Sequence, residues 1–312
     1  MKNKLLVLWM LLCHSFSFCS TENRPYVTCH LNGQLGNQFF EIAATLAYAW
    51  DNGVEPIFPD LNRTDHHISL NREKVFYKLN ASSLPNPILN KFYQHATFRY
   101  IDIPYQPDVN LIGYFQSWKY FDHHRQKILD TFVLKKEDNR ALRLKFADLL
   151  KHPCTVGIHV RTFNEYWHSL IPFVGLNYYR KAMKQYPKNA LFVVFADRIN
   201  WCKHHFKKLK RRMIFIDGQS HIEDLFLMSM MKHNIICNST FSWWAAYLNR
   251  NPKKIVVAPY YFVRPHVMGD AITDPNSNLP EWITLKNIDL SAPYPKDIDK
   301  YDENTKSLDE KS

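Results

Sequence analysis

From Thr155 onward the chain alternates between two apolar patterns. Short β-type runs stand at Val156–Val160, Leu191–Phe195, Met213–Ile216, Asn234–Cys237 and Lys254–Ala258. Between them lie helix-period stretches at Leu176–Tyr186, Ile199–Lys210, Ile222–Lys232 and Phe241–Leu248. Apolar strands alternating with helices predict a parallel sheet covered on both faces, an α/β architecture. A first unit of the same kind opens the chain: strand Tyr26–His30, a Gly-bearing turn Leu31–Gln38 and helix Phe39–Trp50. Pro56–Pro107 is punctuated by Pro and Asn and predicts short elements between loops. A strand at Asn110–Tyr114 then leads through Phe115–Phe121 into a helix ending near Leu134, and Glu137–Lys151 reads as an amphipathic helix.

The ends differ in kind. Met1–Ser20 has a basic start (Lys2, Lys4) and an apolar run that His14 and Ser15 interrupt, the pattern of a secretory signal or a short signal-anchor. Lys296–Ser312 is charged and polar and predicts a disordered tail. The expected division is a leader at 1–20, an N-terminal α/β domain at 21–150, a C-terminal Rossmann-like α/β domain at 151–286 and a polar tail at 287–312.

Two stretches carry candidate chemistry. In Ile235–Leu248 an apolar strand stops at Asn238, Ser239 and Thr240, and a helix containing Trp243 and Trp244 begins. Thr240 or Ser242 is the expected cap. The unpaired first N–H groups of such a helix, its dipole and nearby hydroxyls make an anion site, although an ordinary capped βα unit fits this stretch alone equally well. The second stretch, Thr155–Arg161, is a buried-strand pattern that ends on His159 and Arg161. Strand ends line the ligand crevice of an open α/β sheet, and a guanidinium offers paired donors to phosphate oxygens. Arg161 beside Asn238 would clamp a diphosphate from two sides; an Arg snorkelling at a strand end is the plainer alternative. In the first unit, Gly33 and Gly36 allow close backbone approach, and Asn37 and Gln38 would stand at a helix N-terminus. The Lys-Ser/Thr pair of a P-loop is missing.

Composition narrows the partners. A formal charge of +11 points to an anionic partner, but no nucleic-acid-binding signature accompanies it, so no nucleic acid is expected. The basic run Lys207–Arg212 reads as a solvated helix end. The cysteines outside the leader, Cys29, Cys154, Cys202 and Cys237, show no C-x-x-C and no paired Cys/His spacing, so no metal site is expected. One or two disulfides are open if the chain is exported. Sequons stand at Asn62, Asn80 and Asn238, the last expected to be buried and unmodified.

GQLGNQFFEIAATLAYA at Gly33–Ala49, GIHVR at Gly157–Arg161, FADRINWC at Phe195–Cys202 and HNIICNSTFSWWAAYLNRNPKKIVVAP at His233–Pro259 occur in that order. Together they resemble the α-1,2-fucosyltransferases of glycosyltransferase family 11, from about Tyr26 to about Trp282. The resemblance implies a GT-B fold, two facing Rossmann-like domains with a cleft between them. It implies inverting, metal-independent transfer of fucose from GDP-β-L-fucose, most often to O-2 of a terminal β-galactoside, with no cofactor. Carried onto this chain, Arg161 stabilises the departing diphosphate and Asn37 reaches donor or acceptor from the other domain; these are the expected catalytic residues. His159 and Asp197 would face guanosine, and Gly36, Asn238, Ser239, Thr240, Phe241 and Ser242 would border the phosphates. Gln38, Gln116, Trp118 and Glu165 are acceptor-side candidates, with Gly113 and Tyr114 alongside. Glu165, His168 and Asp197 are positioned as candidate bases. The family pattern His-x-Arg-Arg-Gly-Asp is altered here: Thr162 replaces the second Arg and Asn164 the Asp. This leaves a degenerate nucleotide-sugar binder, or transfer to a different acceptor, as alternatives. The leader implies membrane association or the secretory pathway, with work at the cytoplasmic membrane face if it is a bacterial anchor.

Overall fold

The computed structural model describes residues 24–87, 90–95, 99–162, 165–264, 277–285 and 294–301. The leader and most of the expected tail lie outside them. Among the described residues no helix is long and apolar enough to cross a membrane.

The strands are β1 (Tyr26–Cys29), β2 (Glu55–Pro56), β3 (Asn90–Tyr93), β4 (Val109–Ile112), β5 (Thr155–Val160), β6 (Leu191–Ala196), β7 (Met213–Phe215), β8 (His233–Ile235), β9 (Val256–Pro259) and β10 (Ile283–Leu285). The helices are α1 (Leu35–Asn52), α2 (Ile68–Lys74), α3 (Arg125–Thr131), α4 (Lys136–Lys145), α5 (Ala147–Lys151), α6 (Glu165–His168), α7 (Gly175–Met183), α8 (Ile199–His205), α9 (His221–Ser229) and α10 (Thr240–Tyr247).

The strands form two parallel sheets, one in the order β2-β1-β4-β3 and one in the order β10-β9-β8-β5-β6-β7. Read from β7, the larger sheet has the doubly wound order in which the chain starts at a central strand, builds outward and then returns to the other side. Its switch point lies between β5 and β8, so their carboxyl ends border the crevice where such sheets bind ligands. In the smaller sheet the order reverses between β1 and β4.

Four expectations about elements need correction. Helix α1 starts at Leu35, not Phe39, because the turn closes early: Gly33 takes φ +68° and Gln34 is extended, leaving Asn37 and Gln38 inside the first helical turn. The expected helix after Phe115 is two 3-10 turns, Trp118–Tyr120 and Asp122–His124, before the short α3; Phe115 itself is left-handed at φ 49°. The amphipathic stretch Glu137–Lys151 breaks at Phe146 into α4 and α5. Part of the expected tail is ordered: Ile298 is fully buried, and Asp297 accepts a bond from the Trp201 indole at 3.2 Å and pairs with His205 at 2.8 Å. The four described cysteines are free.

The two sheets share one apolar core. It runs from Val27 and Leu111 in the smaller sheet to Val193, Phe195 and Val256 in the larger one. Its centre is the contact of α1 with α10, where Phe39 stacks on Trp244 at 5.0 Å and Phe40 meets Trp243 at 4.7 Å. Each buried aromatic removes roughly 150–250 Å² from water. At ~25 cal/mol/Å² that is on the order of 4–6 kcal/mol per ring as an upper bound. The joint between the sheets is therefore a packed interior.

Candidate active site

Helices α1 and α10 follow β1 and β8 and begin side by side. A Cβ built on Gly36 would lie 2.5 Å from Thr240 Oγ1 and 2.6 Å from the Phe241 amide nitrogen. Only hydrogen at this position permits the approach. One turn further, Phe40 packs on Trp243, so the helices run parallel and both N-termini face the same region. Parallel dipoles place two partial positive charges together. The first intrahelical bond of α10 runs from the Trp243 N–H to the Ser239 carbonyl at 3.1 Å; the N–H groups of Thr240, Phe241 and Ser242 precede it.

Asn37 ties this meeting point to the smaller sheet. Its Oδ1 accepts from the Thr240 hydroxyl at 3.0 Å and from the Gln116 amide at 2.9 Å. The loop bearing Gln116 is itself fixed to the end of β3, since the Phe115 N–H donates to Gln94 Oε1 at 2.7 Å. Gly113, at φ +144°, lies so close that a Cβ there would meet Gln94 Cβ at 2.8 Å. Across from this loop, Asn32 donates to the Tyr114 hydroxyl at 3.3 Å, and both oxygens of buried Glu41 accept the Asn32 N–H. Burial raises the Glu41 carboxyl well above its usual range, against the opposing effect of that backbone bond.

The end of β5 forms the other wall. His159 is 6% exposed, with Nδ1 3.2 Å from the Cys237 sulfur and its ring 5.1 Å from Phe241. Burial depresses its pKa to about 3, with Asp197 opposing and Arg161 reinforcing the shift, so the imidazole is neutral at ordinary pH. The Arg161 N–H bonds the same sulfur, which seats the end of β5 against the β8–α10 turn. Asp197, at the end of β6, accepts from the Thr162 N–H and hydroxyl at 3.1 Å and has Arg161 at 3.6 Å and Arg198 at 3.8 Å. Arg198 also donates to the Thr162 hydroxyl at 2.9 Å. Two guanidiniums around one carboxylate leave this corner cationic.

The structure therefore brings Gly36, Asn37, Gln116, Thr240, Phe241, His159, Arg161 and Asp197 together, and moves others elsewhere. Gln38 is fully buried, with its amide on the Gly33 and His66 carbonyls and its oxygen on Asn71; it is not an acceptor-side group. Ser242 is also fully buried and donates back to the Cys237 and Ser239 carbonyls, so its hydroxyl closes the turn and does not face the crevice. The N-cap is Ser239, not Thr240 or Ser242, and its side chain makes no capping bond. Asn238 is 2% exposed and spends its amide on the Pro172 and Phe262 carbonyls, consistent with a buried sequon. Trp118 packs part-buried on the core. The side chain of Glu165 lies outside the described residues, as does Asn164. His168 is buried, 6% exposed.

Residues 2–286 match the description of glycosyl transferase family 11. The chain belongs to that family. Among its relatives, an α-1,2-colitosyltransferase of Escherichia coli is 29% identical over 75% of this chain and 91% of its own. A galactoside α-(1,2)-fucosyltransferase 2 of Oryctolagus cuniculus is 28% identical over 83% of this chain and 76% of its own. Among solved structures, the α-1,6-fucosyltransferase NodZ co-crystallised with GDP superposes with a TM-score of 0.51. The match covers 72% of this chain and 92% of that one at 13% identity, and speaks for the fold alone. The fold is GT-B, and the two parallel sheets agree with it.

Within this family 11 member, sequence reasoning missed Arg198, Cys237, Glu41 and Gln94. Arg198 had a signal: it directly follows Asp197, at the strand end where Arg161 also lies. Cys237 had none: nothing in its spacing links it to His159 across 78 residues.

Proposed function

We propose that this glycosyltransferase moves L-fucose from GDP-β-L-fucose to O-2 of a terminal β-galactoside, with inversion and without a cofactor. The observation that carries the reading is the common origin of α1 and α10. Two parallel helix N-termini meeting beside Arg161 form a cationic corner suited to a diphosphate, and an anion there relieves the repulsion of the aligned dipoles. As the sugar leaves, negative charge grows on the diphosphate. The Arg161 guanidinium and the amides at the start of α10 are donors already in place to stabilise it. Asn37, held by Thr240 and Gln116, stands at the border of the two sheets, where donor and acceptor would meet. The sugar and linkage are carried over from the galactoside α-(1,2)-fucosyltransferase relatives. A loose, oxocarbenium-like path leaves little for a general base, and none is assigned.

A second reading is favoured by the colitosyltransferase relative: the donor carries colitose. The two sugars differ by a hydroxyl, and a pocket that hydrogen-bonds that hydroxyl discriminates strongly between them. The test offers the full chain each GDP-sugar with a panel of β-galactosides, with and without EDTA, and follows acceptor-dependent GDP release and product linkage. Fucosyl transfer to O-2 in both conditions supports the proposal; preference for the colitosyl donor moves it to the second reading. GDP binding with no acceptor-dependent release sinks both.

A further inference from the structure

At the far end of α1 from the crevice, about 21 Å along the axis from Asn37 at 1.5 Å per residue, three side chains converge. Asp51 Oδ1 lies 2.7 Å from His124 Nε2, and Asp51 Oδ2 lies 3.0 Å from His123 Nε2. One ligand atom from each residue falls within a set no wider than 4.8 Å. The His124 ring packs edge-on against Trp50 at 5.2 Å, and the two imidazoles are 4.4 Å apart, so the rings are held with the same nitrogen facing the carboxylate.

We infer that Asp51, His123 and His124 bind a borderline divalent cation, of which zinc is the best match, as a structural staple. Two imidazoles and a carboxylate suit this class, with water as the fourth ligand; ligand bonds of about 2.0–2.2 Å place tetrahedral donors roughly 3.3 Å apart, against 2.7 and 3.0 Å for the two Asp–His spacings here. The position supplies a second argument. Asp51 sits in the last turn of α1, where the helix dipole disfavours an anion. A cation there neutralises both the carboxylate and the helix end. It would also fasten α1 to the 3-10 turn Asp122–His124, which precedes α3. The sequence-based expectation of no metal site relied on ligands close in sequence; here 72 residues separate Asp51 from His123.

The test uses the full chain, stripped with chelator and desalted, titrated with zinc by calorimetry and by thermal melting. One tight equivalent is expected. Zinc at about a hundredfold its Kd should raise Tm by roughly 5 °C for a chain of this size. The double variant His123→Ala/His124→Ala should lose both effects, and Asp51→Asn, which keeps the packing, should weaken binding at least tenfold. Fucosyl or colitosyl transfer measured well below Tm should be the same with and without zinc. Equal binding by wild type and variants, or no tight equivalent in the wild type, overturns the inference.

Discussion

Gly36 and Thr240 touch without a side chain between them: a Cβ on Gly36 would stand 2.5 Å from Thr240 Oγ1. The neighbouring atoms on that side are the backbone of Thr240 and Phe241, which have little room to yield. Gly36→Ala should therefore push the two helix starts apart. We expect a loss of stability of roughly 1–3 kcal/mol, typical of overpacking. A displacement of about 1 Å at the reacting groups costs on the order of 100-fold in rate. A melt and a transfer assay on the same sample check both; wild-type transfer by Gly36→Ala would remove the helix junction from the site.

Asn37 separates positioning from charge. Its oxygen accepts two hydrogen bonds, from Thr240 and Gln116. Asn37→Ala leaves both donors without their partner, a cost of about 1–3 kcal/mol if water does not replace it. Asn37→Asp keeps the accepting oxygen but places a negative charge at the expected diphosphate site. The Asp variant should melt close to wild type yet show a raised KM for the donor, while the Ala variant loses stability. Donor KM unchanged in Asn37→Asp would place the diphosphate elsewhere.

Arg161 is the simplest test of the donor assignment. Its side chain is 45% exposed, so its removal should leave the fold intact. Arg161→Ala should lower kcat by a factor on the order of 100–1,000, the usual loss when a preorganised charge-stabilising donor is removed. Arg161→Lys should recover only part of this, since an ammonium cannot offer the paired fork. Normal turnover by the Ala variant would sink the donor assignment.

Thr162 stands where the family pattern has a second arginine, and it is fully buried. Its hydroxyl joins Asp197 to Arg198 at 3.1 and 2.9 Å. Restoring the family residue by Thr162→Arg should therefore destabilise the chain, because a longer side chain must be fitted at a fully buried position. Thr162→Val keeps the volume and removes the hydroxyl; about 1–3 kcal/mol should be lost as two bonds go unmade. Thr162→Ser should be close to neutral. Thermal melts of the three variants decide the order, and an Arg variant as stable as wild type would contradict the packing described.

The alternation of strands and helices after Thr155 was legible because the central strands β5 and β6 are buried on both faces and so read as continuous apolar runs. The switch point followed, and with it Arg161 and the start of α10. Direction of side chains was not legible. Ser239, Thr240 and Ser242 are alike as a string, yet Ser242 falls on the buried face of α10 and closes the turn. Gln38 looks like a crevice residue until Asn71, 33 residues away, claims its oxygen. The break at Phe115 was invisible because tertiary contacts set it: Phe115 is held in a left-handed conformation by Gln94 and by full burial of its ring.

The joint between the sheets holds buried imidazoles whose contribution to stability depends on pH. His221, at the start of α9, bonds Asn71 at 2.9 Å, and Asn71 in turn bonds Gln38. Burial, with a smaller push from His67, lowers the His221 pKa to about 4, and burial lowers that of His159 to about 3. Both folded values lie below the ordinary 6.5, so on acidification the unfolded chain takes up these protons first. Their stabilising contribution is complete above pH 6.5 and is lost progressively as pH falls toward 3 to 4. Asp224 works the other way. Burial, helped by Glu223 and Asp217, raises its pKa from 3.8 to about 7, so its contribution is lost as pH rises through that window. Over about pH 6 to 4.5 the buried imidazoles, His233 among them, lose stability as pH falls, while Asp224 and Glu41, both raised by burial, gain it, so the two sets oppose one another. Urea midpoints measured across that range should fall less steeply with acid for His221→Gln than for the wild type, and more steeply for Asp224→Asn. The same slope in His221→Gln as in the wild type would mean that this imidazole is not buried neutral at the joint.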